Sequence, residues 1–236
     1  MKRLMMLQPG YLPWLGFFEQ IYRTDIFVVF DDAQYTKLDW RNRNRIKSTN
    51  GKDVYITVPV KKAPTKTLIK DIKISYNEDW QKRHINLLKA CYGKTPYFND
   101  YFEPIIDVIN KRFEYLIDLD MELIFLCMNF LGLERDISYS SRLKTEVRGK
   151  ERLMAVCIEL GASYCYNGAA GKNLYSVEKF LENGIKLEFQ EFKSPVYPQF
   201  FGDFIPNLSI VDLLFNCGDK SLNVLTSKPN HIVQTF

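Results

Sequence analysis

The chain has 236 residues, enough for one large domain or two small ones. Its 46% hydrophobic and 14% aromatic content excludes a disordered polymer. A net charge of +4 is too small for a dedicated nucleic-acid-binding domain, so nucleic acid is not the expected partner and local basic clusters carry more information than the total.

The first elements form a βαβ unit: a strand at about 3–8, a loop rich in Pro and Gly, a short helix at about 14–22 and a strand at about 26–31. The opening apolar run is cut off by Gln8-Pro9-Gly10 without a small-residue cleavage site, so it does not read as a signal peptide. Residues 54–60 alternate and are β-branched, which predicts a strand. Residues 69–76 predict another that pairs nearby, across the basic loop around Lys61 and Lys62. From Asn77 the period becomes helical. Trp80, His84, Leu87, Leu88 and Cys91 share one face, with Asn77 as N-cap and Gly93 as stop. Helices follow at about 99–113 and 118–131, the second apolar nearly all round and therefore expected deep in the core.

The βα pattern then resumes with a strand at 137–140, a helix at 150–160, a strand at 163–167, a short helix at 177–181 and a strand at 186–190. Ser209 caps a last helix at 210–216. The expected fold class is α/β: a mostly parallel Rossmann-like sheet with flanking helices and a helical insertion over about 77–132, in a single domain spanning 1–236. The five cysteines are odd in number and contain no CxxC pair, which excludes a zinc ribbon or disulfide framework. No apolar run reaches the length of a membrane span, and the expected home is the cytoplasm.

Polar residues at strand ends commonly line the ligand crevice of such a sheet. Gln8, Tyr11 and Trp14 sit in the loop after the first strand, where helix-start amides serve anions, although GxGxxG and HxGH patterns are absent. Asp31 and Asp32 end the second strand and are the acid/base candidates, of which strand alternation lets one face the crevice. A turn or helix cap accounts for them equally well. Gln34 follows closely.

The run Trp40-Arg41-Asn42-Arg43-Asn44-Arg45 offers guanidinium forks for phosphate or carboxylate and amides for hydroxyls. If extended, it places Arg43 and Arg45 on one side and Asn42 and Asn44 on the other. Gly168 to Lys172 follows a strand as a phosphate loop would, but without the GxxxxGK[ST] spacing. Tyr197, Gln199 and Asp212 are late additions to the crevice, Asp212 also being a first-turn charge favoured by the helix dipole. His84 lies in the inward helical pattern and reads as a packed core residue. No Ser/His/Asp or Cys/His triad and no metal-ligand spacing is present, which removes the commonest hydrolase readings.

The ordered set of Gln8-Pro-Gly-Tyr-Leu-Pro-Trp-Leu-Gly-Phe-Phe18, Asp31-Asp-Ala-Gln-Tyr35, Trp40-Arg-Asn-Arg-Asn-Arg-Ile-Lys47, Thr57-Val-Pro59 and Leu208-Ser-Ile-Val-Asp-Leu-Leu-Phe-Asn-Cys-Gly218 resembles the WbqC-like protein family across nearly the whole chain. The resemblance implies a place in bacterial O-antigen and other surface-polysaccharide gene clusters, with a suggested glycine transferase role. It transfers no catalytic residues. The expected function is aminoacyl or acyl transfer to the amine of a phosphorylated or nucleotide-activated sugar. Here Arg43, Arg45 and Lys172 hold phosphates, and Asn42, Asn44 and Gln8 read hydroxyls or amides. Asp31 or Asp32 takes the amine proton, and backbone amides near Gly10 or Gly168 hold the oxyanion. The donor stays open among ATP with Mg²⁺, an acyl thioester and a charged transfer RNA. The alternatives are a nucleotidyltransferase or ATP-dependent ligase-like enzyme, and a noncatalytic scaffold for polysaccharide enzymes.

Overall fold

The continuous apolar runs near the N-terminus become buried parallel strands, because helices cover both faces of the sheet they enter. The computed structural model describes residues 1–227 and the backbone of 231–233. In it β1 (Arg3–Leu7) pairs in parallel with β2 (Ile26–Val29), Leu7 opposite Val29, and on its other side with β6 (Tyr164–Asn167). Adding β5 (Asp136–Tyr139), β7 (Lys186–Gln190) and β8 (His231–Val233) gives the order β5-β2-β1-β6-β7-β8, with only β8 antiparallel. The chain winds outward from β1 in both directions, so the switch in strand order, where such sheets commonly bind ligands, falls between the carboxyl ends of β1 and β6.

Alternation sorts the two cores. Met5, Phe27 and Val29 pack with α1 (Leu15–Tyr22), while Leu4, Met6, Ile26 and Val28 pack with α5 (Arg152–Glu159) and α6 (Val177–Glu182). The first of these cores continues without a break into α2 (Trp80–Tyr92), α3 (Phe98–Asn110), α4 (Leu116–Phe130) and α7 (Ile210–Cys217). A short α8 (Ser221–Leu225) follows. Among the described residues no helix is long and apolar enough to cross a membrane.

Two local expectations change. Residues 69–76 do not form a strand: a 3-10 turn, Ile69–Asp71, opens the segment, followed by single bridges Val60↔Ile74 and Lys73↔Tyr115. The cause is competition, since the amides of Ile69 and Lys70 bond the carbonyls of Ala33 and Asp31 and no ladder can run there. The partner of β4 (Asp53–Thr57) is instead β3 (Arg43–Lys47), an antiparallel hairpin with Arg45 opposite Tyr55. Helix α2 is capped by Asp79, whose carboxylate accepts from the Lys82 amide at 3.2 Å, rather than by Asn77.

Candidate functional site

At the carboxyl end of β2 the chain turns at once, the Asp31 amide bonding the Val29 carbonyl. The two acids therefore escape strand alternation and converge on one point. Asp31 accepts from Ser140 Oγ (3.0 Å), the Ser141 amide (2.9 Å) and Ser141 Oγ (2.5 Å). Asp32 receives Ser140 Oγ at 2.5 Å and Arg152 Nη2 at 2.5 Å, and Arg152 also bonds the Ser140 and Val147 carbonyls. Ser140 has one hydroxyl proton for two carboxylates, so it serves one of them at a time. The cluster locks the exit of β5 to that of β2. Ser140, Ser141 and Arg152 are not among the site candidates of the sequence; the serines' position after a strand signals them, and Arg152 lies in Lys150-Glu-Arg-Leu153, a segment that also resembles the family.

The loop after β1 is fastened to the hairpin. A side chain at Gly10 would stand 2.5 Å from the Trp40 carbonyl oxygen, so the residue must be glycine for this approach. The Tyr11 amide bonds the Arg41 carbonyl at 3.1 Å. Asn44 donates to the Leu12 carbonyl (2.8 Å) and Asn42 to the Val58 carbonyl (2.8 Å). Both amides thus face inward, as extended alternation requires, and both bond backbone. Ser209 Oγ donates to the Leu12 carbonyl at 2.7 Å, and Trp14 bridges Ser209 while packing edge-on against Phe192. Gln34 is exposed and donates to the Thr65 carbonyl. Gln8 stands where β1 ends, its Oε1 buried with no partner among the described residues.

Beneath this loop Tyr11 Oη lies 3.0 Å from Nδ1 of His84, whose ring also bonds the Thr57 backbone. Burial lowers the His84 pKa to about 4, so the imidazole is neutral at pH 7, and burial pushes the Tyr11 phenol far up. Nearby Asp120 is fully buried, and both its oxygens lack a hydrogen-bond partner among the described residues. Burial holds its carboxyl well above the usual range, although the Arg41 guanidinium pulls the other way.

The late candidates gather elsewhere. Asp212 accepts from Tyr197 Oη (2.7 Å), Gln199 Nε2 (2.9 Å) and Tyr92 Oη (2.9 Å). Lys47, almost wholly buried, donates to Gln199 Oε1 and to the Gly202 and Asp203 carbonyls. This network joins β3, α2 and α7. Lys172 forms an ion pair with Glu191 at 2.6 Å. In the loop 168–172 the tight position is Gly171, where a Cβ would meet Asn167 Nδ2 at 2.6 Å; at Gly168 the nearest atom would be 3.9 Å away.

The outer face of the hairpin presents a different surface. Trp40 and Tyr55, 45% and 48% exposed, stack with ring centroids 6.2 Å apart. Arg43 lies 4.6 Å over Tyr55 and Arg45 5.9 Å over Trp40, so two half-buried cations flank the stacked ring pair in one ladder. Arg45 also pairs with Asp53 at 3.1 Å. Beside it, between β4 and α2, runs an open groove of about 830 Å³ whose lining includes Val54, Tyr55, Lys82 and Arg83. None of the sequence-derived candidates lines that groove. Among the described residues no three His, Cys, Asp or Glu side chains gather as a metal site.

The WbqC-like protein family matches residues 8–224. An uncharacterized protein of Mycobacterium tuberculosis, Rv1507c, is 32% identical over 230 residues, covering 95% of this chain and 98% of its own length. No solved structure matches.

Proposed function

Since the chain belongs to the WbqC-like protein family, we propose that it is a transferase that modifies an activated sugar in bacterial surface-polysaccharide (O-antigen) biosynthesis, by glycyl or another acyl transfer to a sugar amine. The observation that carries this reading is the ladder of Arg43, Tyr55, Trp40 and Arg45 on the hairpin's outer face. Guanidinium forks suit the phosphates of an activated sugar, and the exposed part of the Trp40–Tyr55 stack suits a nucleobase or the apolar side of a sugar ring. Arg43 and Arg45 keep their proposed role as phosphate holders. Asn44 acts one step removed, by fixing the loop that carries Gln8 and Tyr11, and Asn42 by tying the hairpin at Val58. Asp32 is the proposed base for the amine, because it takes fewer bonds than Asp31 and keeps 12% of its side chain exposed.

The same ladder fits a free nucleotide, which supports a second reading, activation by ATP. The primary reading is tested by mass spectrometry of the surface glycan from cells carrying the wild-type gene, no gene, or the R43A/R45A variant. The expected result is loss of one glycyl or acyl mass in the last two; an unchanged glycan without the gene rejects it. ATP-dependent thermal stabilisation that disappears in Trp40→Ala supports the second reading, and its absence rejects it.

A further inference from the structure

The groove beside β4 runs along the edge of that strand. Its lining takes Val54 from the inner face of the hairpin and Tyr55 and Thr57 from the outer face, which only a channel flanking the strand edge can do. Backbone polarity confirms the direction. The Val58 amide bonds the Asn42 carbonyl and the Ser48 amide bonds the Lys52 carbonyl. In the register Asn44↔Ile56 and Ile46↔Val54, the hydrogen-bonded pairs are therefore the even-numbered ones. Tyr55, opposite Arg45 in an alternate pair, directs its N–H and C=O away from β3 and into the groove, and no described residue bonds them.

The far wall is one helical stripe of α2 that includes Lys82, Arg83, Asn86, Leu87 and Ala90. From residue 79 to 90 this wall extends roughly 16 Å at 1.5 Å per residue, about the span of a five-residue strand. Charge favours an acidic visitor. Lys82 and Arg83 stand on the wall, the Asp79 carboxylate faces its own helix amides, and the exposed Arg83–Glu78 pair (2.9 Å) can be exchanged for an incoming carboxylate. Strand β4 has no Pro, Lys or bulge; its one charged residue is Asp53, and the Thr57 backbone is already taken by the His84 ring, so the open stretch of the edge centres on Tyr55.

We propose that this groove takes an extended segment of a partner protein as a third strand beside β4, with apolar side chains over Val54 and Leu87 and an acidic residue on Lys82 and Arg83. Such strand addition draws affinity from main-chain bonds and specificity from alternate side chains. The test pans a phage-displayed random dodecamer library against the full chain, then measures binding of the enriched peptides and exchange protection of the Tyr55 amide. Enrichment of alternating, acid-bearing sequences that protect Tyr55 supports the proposal. Binding should weaken at least tenfold in K82E/R83E with unchanged circular dichroism, and also when alternate peptide nitrogens are methylated. No enrichment, an unprotected Tyr55, or binding indifferent to both changes overturns it.

Discussion

The carboxyl-edge cluster around Asp31 and the ladder on the hairpin both attracted attention as charged runs, yet they sit at opposite extremes. In the first, Asp31, Asp32, Ser140 and Arg152 are largely buried and bond one another. In the second, the rings are about half exposed, Arg43 is half-buried and donates to the Leu38 carbonyl, and the groups meet chiefly by stacking. The lesson is that most of a polar motif in an α/β protein can be architecture, and that the accessible groups, with Asp32 as the one partly exposed member of the cluster, are the better place to look for a ligand.

Mutation can break this contrast. The largest effect is expected from Arg152→Ala, which strands the Asp32 carboxylate and should cost about 3–5 kcal/mol in urea unfolding. Next comes acid. His84 is neutral in the fold with a pKa of about 4, against roughly 6.5 unfolded, so its contribution is complete above pH ~6.5 and is lost as pH falls toward 4. That loss should reach ~2–3 kcal/mol, and His84→Gln should flatten stability across this window. Asn44→Ala removes the tie to the loop after β1 and should cost about 1–3 kcal/mol by the same denaturation. Smallest is the R43A/R45A variant, expected to stay within about 1 kcal/mol of wild type in unfolding while glycan modification falls at least tenfold. A large stability loss there, or a mild one in Arg152→Ala, would erase the distinction between the regions.

How much of this was legible beforehand follows from the range of the interactions. The parallel strands announce themselves as short apolar runs, and α2 to α4 by their helical period, because both patterns are local. β3 does not: alternating Arg and Asn leave extended and helical conformations both open, since what makes it a strand is pairing with 53–57. The Asp212 network was unreadable because Tyr92 lies 120 residues away. Asp31 and Asp32 were correctly placed at a strand end, but their shared turn toward Ser140 depends on a strand that arrives more than a hundred residues later. His84 read as a core residue and is one, although its contact with Tyr11 ties it to the loop singled out for ligand binding.

The tie between the start and the finish of the chain also sets a timetable. The Leu12 carbonyl waits for Ser209 Oγ, and the Ile210 amide closes on the Pro13 carbonyl. During synthesis the first loop thus emerges almost two hundred residues before its last anchors exist, a long-range closure that slows folding. Ribosome-bound chains halted before residue 209 should keep that loop open to protease, and release of the finished polypeptide should seal it.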